Sequence, residues 1–185
     1  MKKALAVVAH PDDETIWMGG TILKNKRWDW TIVSLCRKGD LDRAPKFKKV
    51  CRILGAKSFI SDLDDEKMMD IPSDEIKKRL RKFAGSYDCV FTHGKNGEYG
   101  HKRHVDVHDA VVEMVEHDEL NCSKLIFFSY VKNGKYCYPS RNSDRFIKLD
   151  GNVLDKKKKL IEGVYGFDKK SFESICCRAV ESFKL

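Results

Sequence analysis

Residues 4 to 9 read Ala-Leu-Ala-Val-Val-Ala, and the five positions after them read His10-Pro11-Asp12-Asp13-Glu14. A run that is apolar at every position, with no polar alternation, fits a strand buried on both faces, the condition of a parallel sheet covered by helices. Three consecutive acids at the end of such a strand would repel one another and cost heavily to desolvate unless a cation or a solvent-lined cleft receives them. A divalent metal ion meets that requirement most simply.

The rest of the chain alternates in the same sense. A helix is expected over 14 to 26, where Gly19-Gly20 marks close packing or a kink. A strand over 30 to 36, a helix over 44 to 54 stopped by Gly55, and a strand over 57 to 61 follow. Next come a helix from Ser73, read as its cap, to 83, a strand over 88 to 92, a helix over 102 to 117 and a strand over 124 to 131. Beyond that, 135 to 138 is expected to pair antiparallel with 145 to 148, and helices are expected over 153 to 163 and 169 to 181. Strands alternating with helices indicate right-handed βαβ units. The expected fold is α/β, a Rossmann-like open and mostly parallel sheet with helices on both faces. It forms a single domain over 1 to 185 with a small C-terminal extension. Both polar clusters, 10 to 14 and 93 to 104, follow strands, so both belong at the carboxyl edge where such sheets bind ligands.

The formal charge of +8 raises the question of nucleic acid. The lysines are dispersed, and no RNP, helix-turn-helix or finger pattern accompanies them, so a solvated basic surface is expected, including the run Lys156 to Lys159. No apolar stretch approaches the roughly 18 residues of a membrane span. Seven cysteines without a C-x-x-C pair fit reduced thiols and a cytoplasmic setting. Cys36 reads as a buried structural thiol, not a nucleophile working with His93. The acids Asp62-Leu63-Asp64-Asp65-Glu66 lack the glycine and distant glutamate of an EF-hand and read as a solvated loop.

The second cluster carries His101, His104 and His108. At i, i+3 and i+7 they share one helix face, and spacing alone leaves open which of them meets a metal. A mononuclear hydrolytic site needs about three N and O ligands and an open position. His10, Asp13 and one helix histidine supply them. Asp12 is then free to act as general base on a metal-activated water, and a protonated histidine of the second cluster to oppose the developing oxyanion. The donor set suits Zn2+ and admits other divalent transition metals such as Fe2+ or Co2+. The non-enzyme alternative is a binding protein on the same fold that retains the metal for ligand orientation.

Ala9-His10-Pro11-Asp12-Asp13-Glu14, Gly19-Gly20-Thr21 and Gly97-Glu98-Tyr99-Gly100-His101-x-x-His104 together resemble the PIG-L/LmbE-like zinc-dependent N-deacetylases. The resemblance covers roughly residues 4 to 110. It implies removal of an N-acetyl group from a small-molecule amino-sugar conjugate of the N-acetylglucosamine type. It further implies zinc on His10, Asp13 and His104, Asp12 as base, His101 stabilising the tetrahedral intermediate and Tyr99 polarising the acetyl carbonyl. Arg43 is implied to contact substrate. Glu14 either touches substrate or braces the site and the first helix turn. Two positions depart from the family pattern: Lys46, where an acid is frequent, and Arg103, where an acid commonly precedes the last ligand. A cation at 103 is expected to lower the pKa of His101.

Overall fold

In the computed structural model, which describes residues 1–185, the opening apolar run forms β1 (Lys3–Val8), an interior strand of a seven-stranded sheet. Parallel neighbours flank it: β2 (Asp29–Cys36) and then β3 (Lys57–Leu63) on one side, β5 (Cys89–Thr92) and then β7 (Leu125–Phe128) on the other. The two-residue strands β4 (Ser86–Tyr87) and β6 (Asn121–Cys122) pair outside this sheet. Since β1 is covered on both faces, its residues divide by parity. Ala4, Ala6 and Val8 enter one core, while Leu5 and Val7 enter the other with Ala9 just beyond the strand.

The first core is closed by α1 (Asp13–Lys24), α2 (Arg43–Leu54) and the C-terminal helices. These are α6 (Gly151–Lys158), continued by a π-helical segment over Lys159–Tyr165, and α7 (Phe172–Cys176). The second core is closed by α3 (Ser73–Leu80) and α5 (Lys102–Glu116), which follows a single turn, α4 (Gly97–Gly100). The order β3-β2-β1-β5-β7 reverses its winding at β1. A crevice therefore opens beyond the carboxyl ends of β1 and β5, where His10–Asp13 and His93–His104 are carried.

The expected α/β fold and its helices on both faces are present. The chain departs from expectation mostly after residue 128. The expected strand over 124 to 131 breaks at Ser129, and β8 (Tyr130–Asn133) leaves the sheet to pair with β9 (Tyr136–Pro139). Gly134, at φ 61°, supplies the positive dihedral required by this two-residue hairpin. Residues 145 to 148 therefore have a different partner. They form β10 (Arg145–Lys148), antiparallel to β11 (Val180–Lys184), which in turn pairs with β7. The expected helix over 169 to 181 stops at Cys176 because β7 offers a free edge, and that tertiary pairing outweighs local helical propensity. Ser73 does not cap α3; its hydroxyl donates to Glu113 Oε2.

Gly20 is required for packing, since a Cβ there would lie 2.4 Å from both methyl carbons of Leu149. Beside it, the buried Glu181 carboxylate accepts from the Gly20 and Thr21 amides, both at 2.7 Å, and from the Thr21 hydroxyl at 2.6 Å. Its cation is Lys157, 2.7 Å away and wholly buried. One lysine of the expected solvated run is thus an interior ion pair, while Lys156, Lys158 and Lys159 stay exposed. No helix is long and apolar enough to cross a membrane, and all seven cysteines are unpaired.

Candidate metal centre

Between β1 and α1 the chain makes a tight turn in which Asp12 takes a φ of 111°, a left-handed value that costs a non-glycine residue energy. The turn's own amides hold the acids. The His10 amide donates to Asp13 Oδ2 at 2.8 Å, and the Asp12 amide donates to Glu14 Oε2 at 3.0 Å. Trp17 Nε1, one turn along α1, donates to Asp13 Oδ1 at 2.9 Å. Asp13 is thereby fixed with Oδ2 facing two histidines.

Those histidines complete a triangle. His10 Nδ1 lies 3.3 Å from Asp13 Oδ2, His104 Nε2 lies 3.4 Å from the same oxygen, and the two nitrogens are 3.2 Å apart. Donors about 2.0–2.1 Å from a tetrahedral zinc ion are separated by about 3.3 Å. The residues present therefore fit a divalent ion at this position. Burial would raise the Asp13 pKa, yet His104 and His93 bring it well below the ordinary carboxylate range, so a carboxylate faces the two histidines.

Each histidine ring of the triangle is held from behind by a carboxylate, the arrangement that fixes tautomer and orientation in metal sites. His104 Nδ1 meets Glu98 Oε2 at 2.5 Å, and His10 Nε2 meets Asp65 Oδ1 at 2.9 Å. Against the cost of burial, the neighbouring histidines hold Glu98 at a pKa of about 2, and His10 and Arg37 do the same for Asp65. The expectation of a solvated loop at 62 to 66 fails at Asp65 for an electrostatic reason. Arg37 binds its other oxygen at 2.7 Å, and the fully buried Arg103 bonds to Asp64, Asp106 and the Met69 carbonyl, clamping the loop over His10.

His93, which spacing did not single out as a ligand, is a brace. Its Nε2 accepts the Ala9 amide at 2.9 Å and its Nδ1 contacts Glu98 at 2.8 Å, so it ties the ends of β1 and β5 together. His108, although on the same helix as His101 and His104, turns away from the triangle and its Nδ1 donates to the His93 carbonyl at 2.8 Å.

Asp12 stands beside the triangle and outside it. Its Oδ2 pairs with Arg43 Nη1 at 2.5 Å, and the Arg43 guanidinium lies 4.3 Å from the centroid of Phe167. Burial and the adjacent Asp13 push the Asp12 pKa well above the ordinary carboxylate value, with Arg43 opposing. His101 caps α5, its Nδ1 accepting the Arg103 amide at 3.2 Å. The ring proton therefore sits on Nε2. Burial, His104 and His10 lower the His101 pKa to about 4. The lowering runs against a protonated histidine at this position, and its leading causes do not include Arg103, whose guanidinium bonds to Asp64, Asp106 and the Met69 carbonyl. Tyr99 lines the cleft, edge-on to His101 and His104.

Glu14 does not reach the cleft. It is fully buried, bonded to Thr15 and Tyr165 at 2.5 and 2.9 Å as well as to the Asp12 amide, and burial raises its pKa to about 7. Contact with substrate is therefore replaced by the bracing alternative. The cleft itself has a volume of about 240 Å³ and is lined by His10, Asp12, Asp13, Arg37, Asp40, Arg43, Asp65, Tyr99 and His101, with Phe172 and Glu173 arriving from α7. These last two, together with Phe167 and Tyr165, come from a region where the sequence carries no motif.

A family model described as PIG-L, GlcNAc-PI de-N-acetylase, matches residues 5–115. The chain belongs to the PIG-L family. Solved structures share the fold of this PIG-L protein at low identity. A conserved protein from Thermus thermophilus aligns with TM-score 0.74 and 17% identity over 100% of this chain and 94% of that one. A deacetylase of teicoplanin biosynthesis aligns with TM-score 0.67 and 11% identity over 89% and 84%. The 4-carboxy-2-hydroxymuconate hydratase of Pseudomonas putida aligns with TM-score 0.66 and 19% identity over 96% and 83%. Deacetylases and a hydratase thus share this architecture, and the side chains of the cleft have to distinguish them.

Proposed function

We propose that this PIG-L protein is a metal-dependent N-deacetylase that hydrolyses the acetamide of an N-acetylated amino-sugar conjugate. The observation that carries the reading is the triangle of His10 Nδ1, Asp13 Oδ2 and His104 Nε2 at 3.2–3.4 Å, with the carboxylate of Asp12 beside it but committed to Arg43. We assign zinc to the triangle; Fe2+ or Co2+ would use the same donors. When bound, the ion supplies a water of lowered pKa and polarises the acetyl carbonyl.

The chain's own groups do the rest. Asp12, made more basic by burial and the adjacent Asp13, takes the proton as water oxygen adds to the carbonyl carbon, and returns it to the departing nitrogen as the C–N bond breaks. Acetate and a free amine result. His101 Nε2–H and the Tyr99 hydroxyl supply donors to the oxyanion, a role a neutral imidazole fills without a charge. Arg43 holds Asp12 in register and offers its remaining nitrogens to substrate hydroxyls. Asp12→Ala is expected to keep the metal and lose about 10²- to 10⁴-fold in turnover. Unchanged acetate release by that variant would remove Asp12 from the mechanism.

A further inference from the structure

His108 turns away from the triangle, and the scheme above leaves its outer ring nitrogen without a task. Because Nδ1 donates to the His93 carbonyl at 2.8 Å, the neutral ring carries its lone pair on Nε2. The residue is only 8% exposed, and Nε2 has no hydrogen-bond partner in the protein. A buried acceptor left in that state costs stability until something donates to it. His108 lines a cavity of about 490 Å³ between α5, β7, β8 and the loop after β5, and this cavity shares no lining residue with the metal cleft.

The wall around the nitrogen is apolar. Val112 and Val131 line it together with Phe127, whose ring centroid is 4.8 Å from that of His108. Two cations complete the rim. Lys184 is held by Asp144 at 2.8 Å, whereas Lys95 is exposed and has no carboxylate partner.

We propose that this cavity binds a phenolic carboxylate, a flat hydroxylated ring with an anionic side arm. The ring packs against Phe127 and covers the two valines, the hydroxyl donates to His108 Nε2, and the carboxylate reaches Lys95. Other chemistries satisfy only part of the lining. An aliphatic chain leaves the nitrogen unpaired, a sugar sets hydroxyls against Phe127 and the valines with nothing to bond them, and a cationic ligand meets the rim lysines. The volume falls within the range of about 300–1,000 Å³ usual for small-molecule pockets and leaves room for the side arm beyond the ring. The site needs no metal and is independent of the deacetylase reading.

The test is a calorimetric titration of the full chain, at mildly alkaline pH, with para-hydroxyphenylpropionate and with phenylpropionate, which lacks only the hydroxyl. Saturable binding of the first is expected, and loss of the hydroxyl is expected to weaken it about tenfold, the worth of one hydrogen bond. Lys95→Glu is expected to weaken both acids. Val112→Trp, which fills the cavity, is expected to abolish binding; should that variant not fold, Val131→Trp on the exposed wall takes its place. Failure of both acids to bind, equal affinity for the two, indifference to Lys95→Glu, or binding that survives in the folded tryptophan variant would overturn the proposal.

Discussion

In the proposed centre, Glu98 and Asp65 decide how well the triangle would hold an ion, although neither belongs to it. Each accepts from the far nitrogen of a triangle histidine and so sets which nitrogen carries the lone pair. Replacing such an outer partner commonly costs 10- to 100-fold in metal affinity. Glu98→Gln is therefore expected to raise the metal dissociation constant by about that factor in a chelator competition, and an unchanged constant would show that the carboxylate does not orient His104. At this scale the sequence was half legible. His10, Asp12 and Asp13 stand out because charge directly after an apolar strand has few other uses. Asp65 did not stand out, since its burial depends on Arg37 and Arg103, and pairing across distant loops leaves no local pattern. His108 shows the converse: a shared helix face placed it with His101 and His104, but the His93 carbonyl claims it.

Arg103 and Gly20 act through the elements they join. Arg103, wholly buried, is the clamp between α5 and the loop after β3. Arg103→Gln is expected to cost about 2 kcal/mol, by leaving buried acceptors and Asp106 without their cation. In hydrogen exchange it should loosen residues 62 to 72 ahead of the rest of the fold. Exchange that stays uniform would show that the loop is held by something else. Gly20→Ala gains helix propensity yet is expected to destabilise by about 1–3 kcal/mol through overpacking against Leu149, read as a lower denaturation midpoint. The parallel strands and their helices were legible because each carries a complete local signal, such as Gly55 at φ 76° ending α2. The strand β11 was not, because a short segment near a helix end becomes a strand only when a sheet edge is available to it.

Over the whole molecule, residues 129 to 185 close the site that residues 1 to 110 equip. They bring Tyr165 to Glu14, Phe167 to Arg43, and Phe172 and Glu173 to the cleft wall. Glu181 fastens this region to α1 with three donors from Gly20 and Thr21 and with Lys157. Truncating the acid strands a buried cation and two amides, whereas truncating the lysine leaves a carboxylate that still has three donors. Glu181→Leu is thus expected to cost about 3–5 kcal/mol and Lys157→Met distinctly less, and the reverse ranking in chemical denaturation would contradict this account of the join. The charge of +8 plays no part in it, because the basic side chains that matter here are buried and paired. The central claim, that a metal held by His10, Asp13 and His104 drives deacetylation, is tested most directly by acetate release from a panel of N-acetylglucosamine conjugates. The metal-loaded chain is expected to release acetate, the chelator-treated chain to stop, and added zinc to restore release. Release that is indifferent to chelator, or none from any conjugate, would contradict the claim and leave a sugar-binding protein as the better account.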